Sequence, residues 1–168
     1  MQQMKRRGEL AEAMFTQRAL AQGLTVAKLY GDSEHYDQVV GNGSRFWRMQ
    51  VKSTFVRPPS GVYQVGVGRQ TGFGPSRHLI PYSASEIDAF AIVLVPEDSV
   101  YIVPVEVVDG RVGLSFHGRN HPGFGRWLPY FEAWDLLRQT GEKLLLPPDE
   151  PTVMSARRQE GMGRRRKE

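Results

Sequence analysis

Two apolar runs separated by a short polar turn constrain this chain more than any other feature of its sequence. Ile87–Val95 reads IDAFAIVLV and Val100–Val108 reads VYIVPVEVV, with Pro96-Glu97-Asp98-Ser99 between them. A strand covered on both faces is written as a continuous run of Val, Ile and other apolar residues, whereas a half-exposed strand alternates. The first run is therefore expected to be a buried strand and the second its partner. Pro104 lacks the N–H that a ladder needs, which places an edge or a bulge there. Neither run nears the roughly 20 residues that cross a bilayer. A chain of 168 residues suits one domain with a core of its own.

Around these runs the spacing predicts a helix over 4–22, where Leu10, Ala13, Met14, Leu20 and Ala21 recur at helical intervals and Gly23 stands just past the end. Leu24–Leu29 and Tyr36–Val40 read as strands, with a turn at Gly31-Asp32-Ser33. Gly41-Asn42-Gly43 is a tight hairpin connection to a return strand, Arg45–Thr54. Pro58-Pro59-Ser60-Gly61 breaks the chain before a strand at Val62–Val67. The Gly- and Pro-rich stretch 68–81 is expected to be an exposed loop with Phe73 and Gly74 at its tip, and Ser83–Glu86 a cap or turn. Arg111–Phe116 is a further short strand, and Leu128–Gln139 an amphipathic helix ended by Gly141. The order predicts an α/β domain over residues 1–146 with one central sheet. From Pro147 a Pro-rich and then basic tail, 147–168, is expected to be disordered.

The absence of cysteine excludes a disulfide scaffold and any thiolate ligand or nucleophile. Lys5, Arg6 and Arg7 are not followed by a signal-peptide core, which predicts a cytoplasmic protein. The net charge of +4 is unevenly spread. Residues 1–80 hold 11 bases against five acids, residues 81–156 five against 11, and residues 157–168 six against two. The first half suits an anionic partner, with an unevenly charged solvated surface as the competing reading.

Two carboxylates and a lysine fall where ion-dependent phosphodiester chemistry needs them. Glu12 lies on the first helix, with Glu9 one turn earlier, and Asp37 near the start of the first hairpin strand. Gln50 and Lys52 are two apart on the return strand, so a pleat points both at one face. The hairpin brings Asp37 back beside them. Mg²⁺ takes oxygen ligands, keeps several waters and uses one or two carboxylates. Asp37, the Gln50 side-chain or Val51 backbone carbonyl, and Glu12 could supply them. A lysine beside the ion can orient water and offset charge on the phosphate. An ordinary surface ion pair, worth about 0–1 kcal/mol, is the competing reading.

At these residues the chain resembles a known family. RRGELAEAMFTQRALAQGL, YGDSEHYDQVV and RFWRMQVKST together resemble the PD-(D/E)XK nuclease superfamily, in the branch that includes cyanobacterial group I intron homing endonucleases. The matching features are Gly8 followed by Glu12, then Asp37, then Gln50-Val51-Lys52. Tyr82 with Asp88-Ala-Phe-Ala-Ile, Tyr101-Ile-Val-Pro104 and Trp134 continue the likeness, which covers roughly residues 5–140. Tyr36 stands where the superfamily has its proline, and Gln50 replaces the usual second acid. The resemblance implies a restriction-endonuclease-like core, a central mixed β-sheet flanked by helices. It also implies a Mg²⁺-dependent endonuclease acting on double-stranded DNA, with Mn²⁺ substituting, as a homodimer or homotetramer. Asp37, Glu12, Gln50 and Val51 would hold the ion and Lys52 assist the attacking water. A structure-selective nuclease such as a Holliday-junction resolvase, and a DNA-binding module without catalysis, are the alternatives.

Arg45, Arg48, Arg57, Arg69, Arg77 and His78 surround the candidate site in sequence and are candidate phosphate contacts. His117 and His121 invite a zinc reading, but Gly118, Pro122 and Gly123 argue against a helix there, and a polar loop is expected. The glycines at 66, 68 and 72 match neither a dinucleotide fingerprint nor a phosphate loop. Trp127, Tyr130, Phe131 and Trp134 are expected to pack against the core.

Overall fold

A computed structural model describes residues 2–31, 33–72, 74–121, 123 and 125–140. The expected tail from Pro147, the helix stop Gly141 and the loop residue Phe73 lie outside the described residues. The first helix, α1, spans Gln2–Ala21. Its buried stripe is Ala11, Phe15 and Ala19, spaced four apart, while Leu10 and Leu20 of the expected apolar set face outward. Two alanines flanking one phenylalanine let the helix lie close on a sheet. The wider leucine-bearing face cannot reach the sheet at the same time.

Strands β1 (Thr25–Lys28), β2 (Gln38–Gly41) and β3 (Phe46–Thr54) form an antiparallel meander. Asn42 makes the β2–β3 connection: its Oδ1 accepts the N–H of Ser44 and of Arg45. Gly41 is required by close approach, since a Cβ there would lie 2.6 Å from Thr25 Oγ1 and 2.7 Å from the Phe46 ring. β4 (Val62–Gly66) leaves the main sheet, and β5 (Arg69–Thr71) pairs with β6 (His78–Ile80). The stretch 68–81, expected as an exposed loop, is largely exposed and carries a small two-stranded hairpin. Its turn needs Gly72, whose φ is +81° and whose Cβ would meet Ser76 O at 2.3 Å.

β7 (Ala89–Leu94) is buried throughout, as its apolar run requires, and pairs parallel with β3 and antiparallel with β8 (Ser99–Pro104). The sheet order is β1-β2-β3-β7-β8, so Pro104 lies on an edge strand. The second apolar run does not stay extended to Val108. Pro104 ends the strand and a single helical turn, α2 (Val105–Val108), follows. β9 (Gly113–His117) pairs with β4.

The sheet carries a core on each face. Under α1 lie Val40, Trp47, Met49, Val51, Ala91 and Ile102. The opposite face holds Phe90, Ile92 and Val103 against Tyr63, Val65 and Phe116 of the β4–β9 pair. The segment expected as a helix over 128–139 is instead two short 3-10 turns, Leu128–Tyr130 and Trp134–Arg138. Tertiary contacts override its helical periodicity. Phe131 bridges to Tyr101, Glu132 takes a φ of +47°, and its N–H donates to Val100 O at 2.8 Å. The Glu132 carboxylate also binds Arg18 at 2.5 Å and the Val100 N–H at 2.9 Å. The chain thereby wraps the β8 edge and feeds both cores, with Trp127 on one face and Trp134, Leu136 and Leu137 on the other.

Candidate active site

The site forms where the β2–β3 ladder stops. The last register pair is Gln38 with Met49, and the Asp37 N–H still donates to Met49 O at 2.9 Å. Beyond that point β3 has no strand partner on this side, and the Asp37 side chain takes over. Its Oδ2 accepts the Val51 N–H at 2.8 Å and the Gln50 Nε2–H at 2.6 Å. A strand residue sends its N–H and C=O to the same edge, so the Val51 carbonyl leaves β3 on the Asp37 side. Gln50 and Lys52 share the sheet face of their register partners Phe90 and Ile92. The Lys52 ammonium sits 5.3 Å from the centroid of the Tyr82 ring, which is braced edge-on against Phe90.

Desolvation dominates the electrostatics here. Burial pushes the Asp37 carboxyl above its ordinary range; Glu12 pushes the same way, while the Val51 N–H, Lys52 and Gln50 oppose. Burial likewise pulls the Lys52 ammonium below its usual pKa, against the attraction of Asp37. The two are opposite charges close together, yet each shifts toward its neutral form. Both are half-buried, so each has lost part of its water, and their mutual attraction does not make up that loss. Burial, followed by the nearby Asp37 charge, raises the Tyr82 phenol to about 12.

Glu12, on α1, is near enough for its charge to act on Asp37. Its carboxylate binds the Lys28 ammonium at 2.7 Å. Its backbone is fixed by Gln38, whose side-chain N–H donates to Glu12 O at 3.1 Å. The Thr16 hydroxyl lies within bonding distance of both Glu12 O (2.9 Å) and Gln38 Oε1 (3.0 Å). Gln38 is only 1% exposed. A buried amide with both ends bonded ties the helical turn of Glu12 to the residue after Asp37.

The donor set suits a hard divalent cation. Among the described residues Asp37 Oδ1 receives no hydrogen bond, and the Gln50 amide is bonded through its nitrogen, which leaves its oxygen for another partner. No group of three or more His, Cys, Asp and Glu that could hold a metal occurs among the described residues. The oxygens available are therefore two carboxylates and neutral carbonyls, a set that matches Mg²⁺ with several retained waters and not zinc. The rings of His117 and His121 stack at 4.5 Å and 20°, so their lone pairs run side by side rather than converging.

The basic residues divide. Arg48 binds Asp88 with two nitrogens, at 3.0 and 3.2 Å, Arg57 pairs with Glu97 at 3.1 Å and Arg69 with Glu86 at 2.9 Å. Arg45 lies over the Trp47 ring at 4.4 Å. Arg77 and His78 are exposed on the β5–β6 hairpin, with His78 Nδ1 2.9 Å from Ser76 O. Among the described residues Arg77 has no ion pair. Reading the sequence missed Lys28, Gln38 and Thr16, whose neighbours in space are set by the β1–β2 register and by the packing of α1. Tyr82 was visible only as part of a resemblance, with no chemical signal of its own.

A β-meander is thus joined in parallel to a buried hairpin, and Asp37 meets the Gln50-Val51-Lys52 strand where the ladder ends. Residues 2–136 match the profile of the PD-(D/E)XK endonuclease family, and the chain belongs to it. Among solved structures it is similar to a bacterial homing endonuclease, I-Ssp6803I, with a TM-score of 0.72 and 27% identity over 82% of this chain and 94% of that one. No curated protein matches the sequence. The fold is thus the restriction-endonuclease-like α/β core with a central mixed sheet. Among the described residues no helix is long and apolar enough to cross a membrane.

Proposed function

We propose that this endonuclease hydrolyses phosphodiester bonds in double-stranded DNA with a divalent cation, Mg²⁺ or Mn²⁺, held by Asp37, Glu12, the Gln50 side-chain oxygen and the Val51 carbonyl. The observation that carries the reading is the Asp37 carboxylate, clamped by Gln50 and Val51 beside a desolvated Lys52. The bound cation supplies Lewis acidity and neutralises charge on the phosphate. Lys52, held at the Tyr82 ring, orients the water whose oxygen bonds to phosphorus as the ester P–O bond breaks, and stabilises the added charge. Burial strengthens that interaction, because little solvent screens it. Gln50 is a neutral ligand in place of an acid, so Glu12 carries a larger share of ion binding.

Arg77 and His78, exposed on the β5–β6 hairpin, give the substrate strand a basic approach, with Arg45 a further phosphate contact and Arg48, Arg57 and Arg69 available only by exchanging their carboxylate partners for phosphate. Cutting both strands needs two such sites, which a homodimer or homotetramer provides. The likeness to a homing endonuclease favours a duplex over a junction substrate. Nicking of supercoiled plasmid in Mg²⁺ or Mn²⁺ tests the reading: wild type is active, while Asp37→Ala and Lys52→Ala are inactive. Equal inertness of all three on plasmid, branched and single-stranded DNA overturns it. Preferential cleavage of four-way junctions over linear duplex would establish the resolvase alternative.

A further inference from the structure

The charge balance around Glu12 identifies a residue that none of the family motifs contains. Lys28 closes β1, directly opposite Gln38 in the β1–β2 register and hence beside Asp37. Its Nζ lies 2.7 Å from Glu12 Oε2, and its side chain is 61% exposed against 20% for Glu12. Lys28, Glu9, Glu12, Thr16 and Gln38 line one groove between α1 and the β1–β2 edge. Its ammonium is held charged chiefly by the bond to Glu12, against burial, with Glu9 and Asp37 adding attraction.

We infer that Lys28 is the resident counter-cation of the ion site: it holds Glu12 in the free protein and releases it when a divalent cation binds. This rests on the ion site proposed above. Lys28 and Lys52 together only partly balance the carboxylates Glu9, Glu12 and Asp37, so a doubly charged ion is attracted more strongly than Lys28 is. Release costs little, because an ion pair with one partner this exposed contributes little to stability. Glu9, one turn earlier on the same groove wall, offers the freed ammonium a second carboxylate. Lys28 is thus a positioning residue. It keeps the Glu12 carboxylate ordered before the ion arrives, and its charge lowers the affinity of the site for that ion.

The test is calorimetric titration of the full chain with Mn²⁺, without DNA. Lys28→Met binds Mn²⁺ about tenfold more tightly than wild type, the order expected for removing one positive charge a few ångströms from a divalent ion. Lys28→Arg keeps the charge and stays near the wild-type affinity. In a Glu12→Gln background, where Lys28 has no carboxylate to hold there, the gain from Lys28→Met shrinks. Thermal melting of each variant without Mn²⁺ establishes that it is folded. Unchanged or weaker binding by Lys28→Met, or a full gain in the Glu12→Gln background, overturns the inference and leaves the ion site standing. Absence of Mn²⁺ binding in every variant overturns both.

Discussion

Replacing Gln38 with leucine separates the placement of Glu12 from its chemistry. The side chain is buried, and leucine fills similar space without either hydrogen bond. The change removes the donor to Glu12 O at 3.1 Å and the acceptor 3.0 Å from the Thr16 hydroxyl. Thr16 can still donate to Glu12 O at 2.9 Å, so no buried carbonyl is orphaned. The Thr16 hydroxyl has a single proton, so two hydrogen bonds become one and the net cost is about 1 kcal/mol. For a domain of this size that lowers Tm by about 2–4 °C. The functional effect is larger than the stability effect suggests. Without the clamp the Glu12 turn is free to shift against Asp37, and misplacement by about 1 Å costs up to about 100-fold in rate. Differential scanning calorimetry reads the first effect, and plasmid nicking at a temperature well below the lowered Tm reads the second. Thr16→Val spares the Gln38–Glu12 bond and much of the activity, yet it leaves the buried Gln38 oxygen without its donor and so costs at least as much stability as Gln38→Leu. Wild-type nicking by a Gln38→Leu protein with lowered Tm would refute the positioning role, and an unchanged Tm would refute the bond count.

Three further outcomes follow from the site. Glu12→Ala slows nicking nearly as much as Asp37→Ala, because a neutral Gln50 leaves only two carboxylates for the ion; retained activity in Glu12→Ala would show that Glu12 is not a ligand. Asp37→Asn abolishes nicking yet raises Tm at neutral pH. Burial raises the folded-state pKa of Asp37 above the ordinary 3.8, so the folded state holds the proton more tightly and this group's stabilising contribution is lost as pH rises through the raised value. The Tm gain of Asp37→Asn is therefore full above that value and fades toward pH 3.8 and below, as melts across pH would show. Tyr82→Phe keeps the ring that faces Lys52 and retains most activity, whereas Tyr82→Leu lowers kcat; equal rates for the two variants would show that the ring face is not used.

The segments that can be read locally were legible. The helix at the N-terminus, the hairpin at Gly41-Asn42-Gly43 and the buried run at Ile87–Val95 depend on periodicity and turn chemistry within a few residues. Gln50 and Lys52 share a face because a strand has a period of two, and Asp37 reaches them because a tight hairpin leaves one register. Leu128–Gln139 shows the opposite case. Its spacing is helical, but Glu132 is held by Arg18 and Val100, residues distant in sequence. Those bonds pull the chain into a bridge with β8.

By itself the sequence determined the α/β class, the buried central strand and the Asp37, Gln50 and Lys52 grouping, all consequences of local periodicity and one short connection. Only the tertiary structure decided which side chains surround Glu12. A helix can lie on a sheet at many offsets, and the side chains of Gln38, Thr16 and Lys28 acquire their partners only once that offset is set. The same holds for the ionisation of Asp37 and Lys52. Their identities are written in the chain, but burial beneath neighbours brought in from β7 and the Tyr82 turn moves each toward its neutral form.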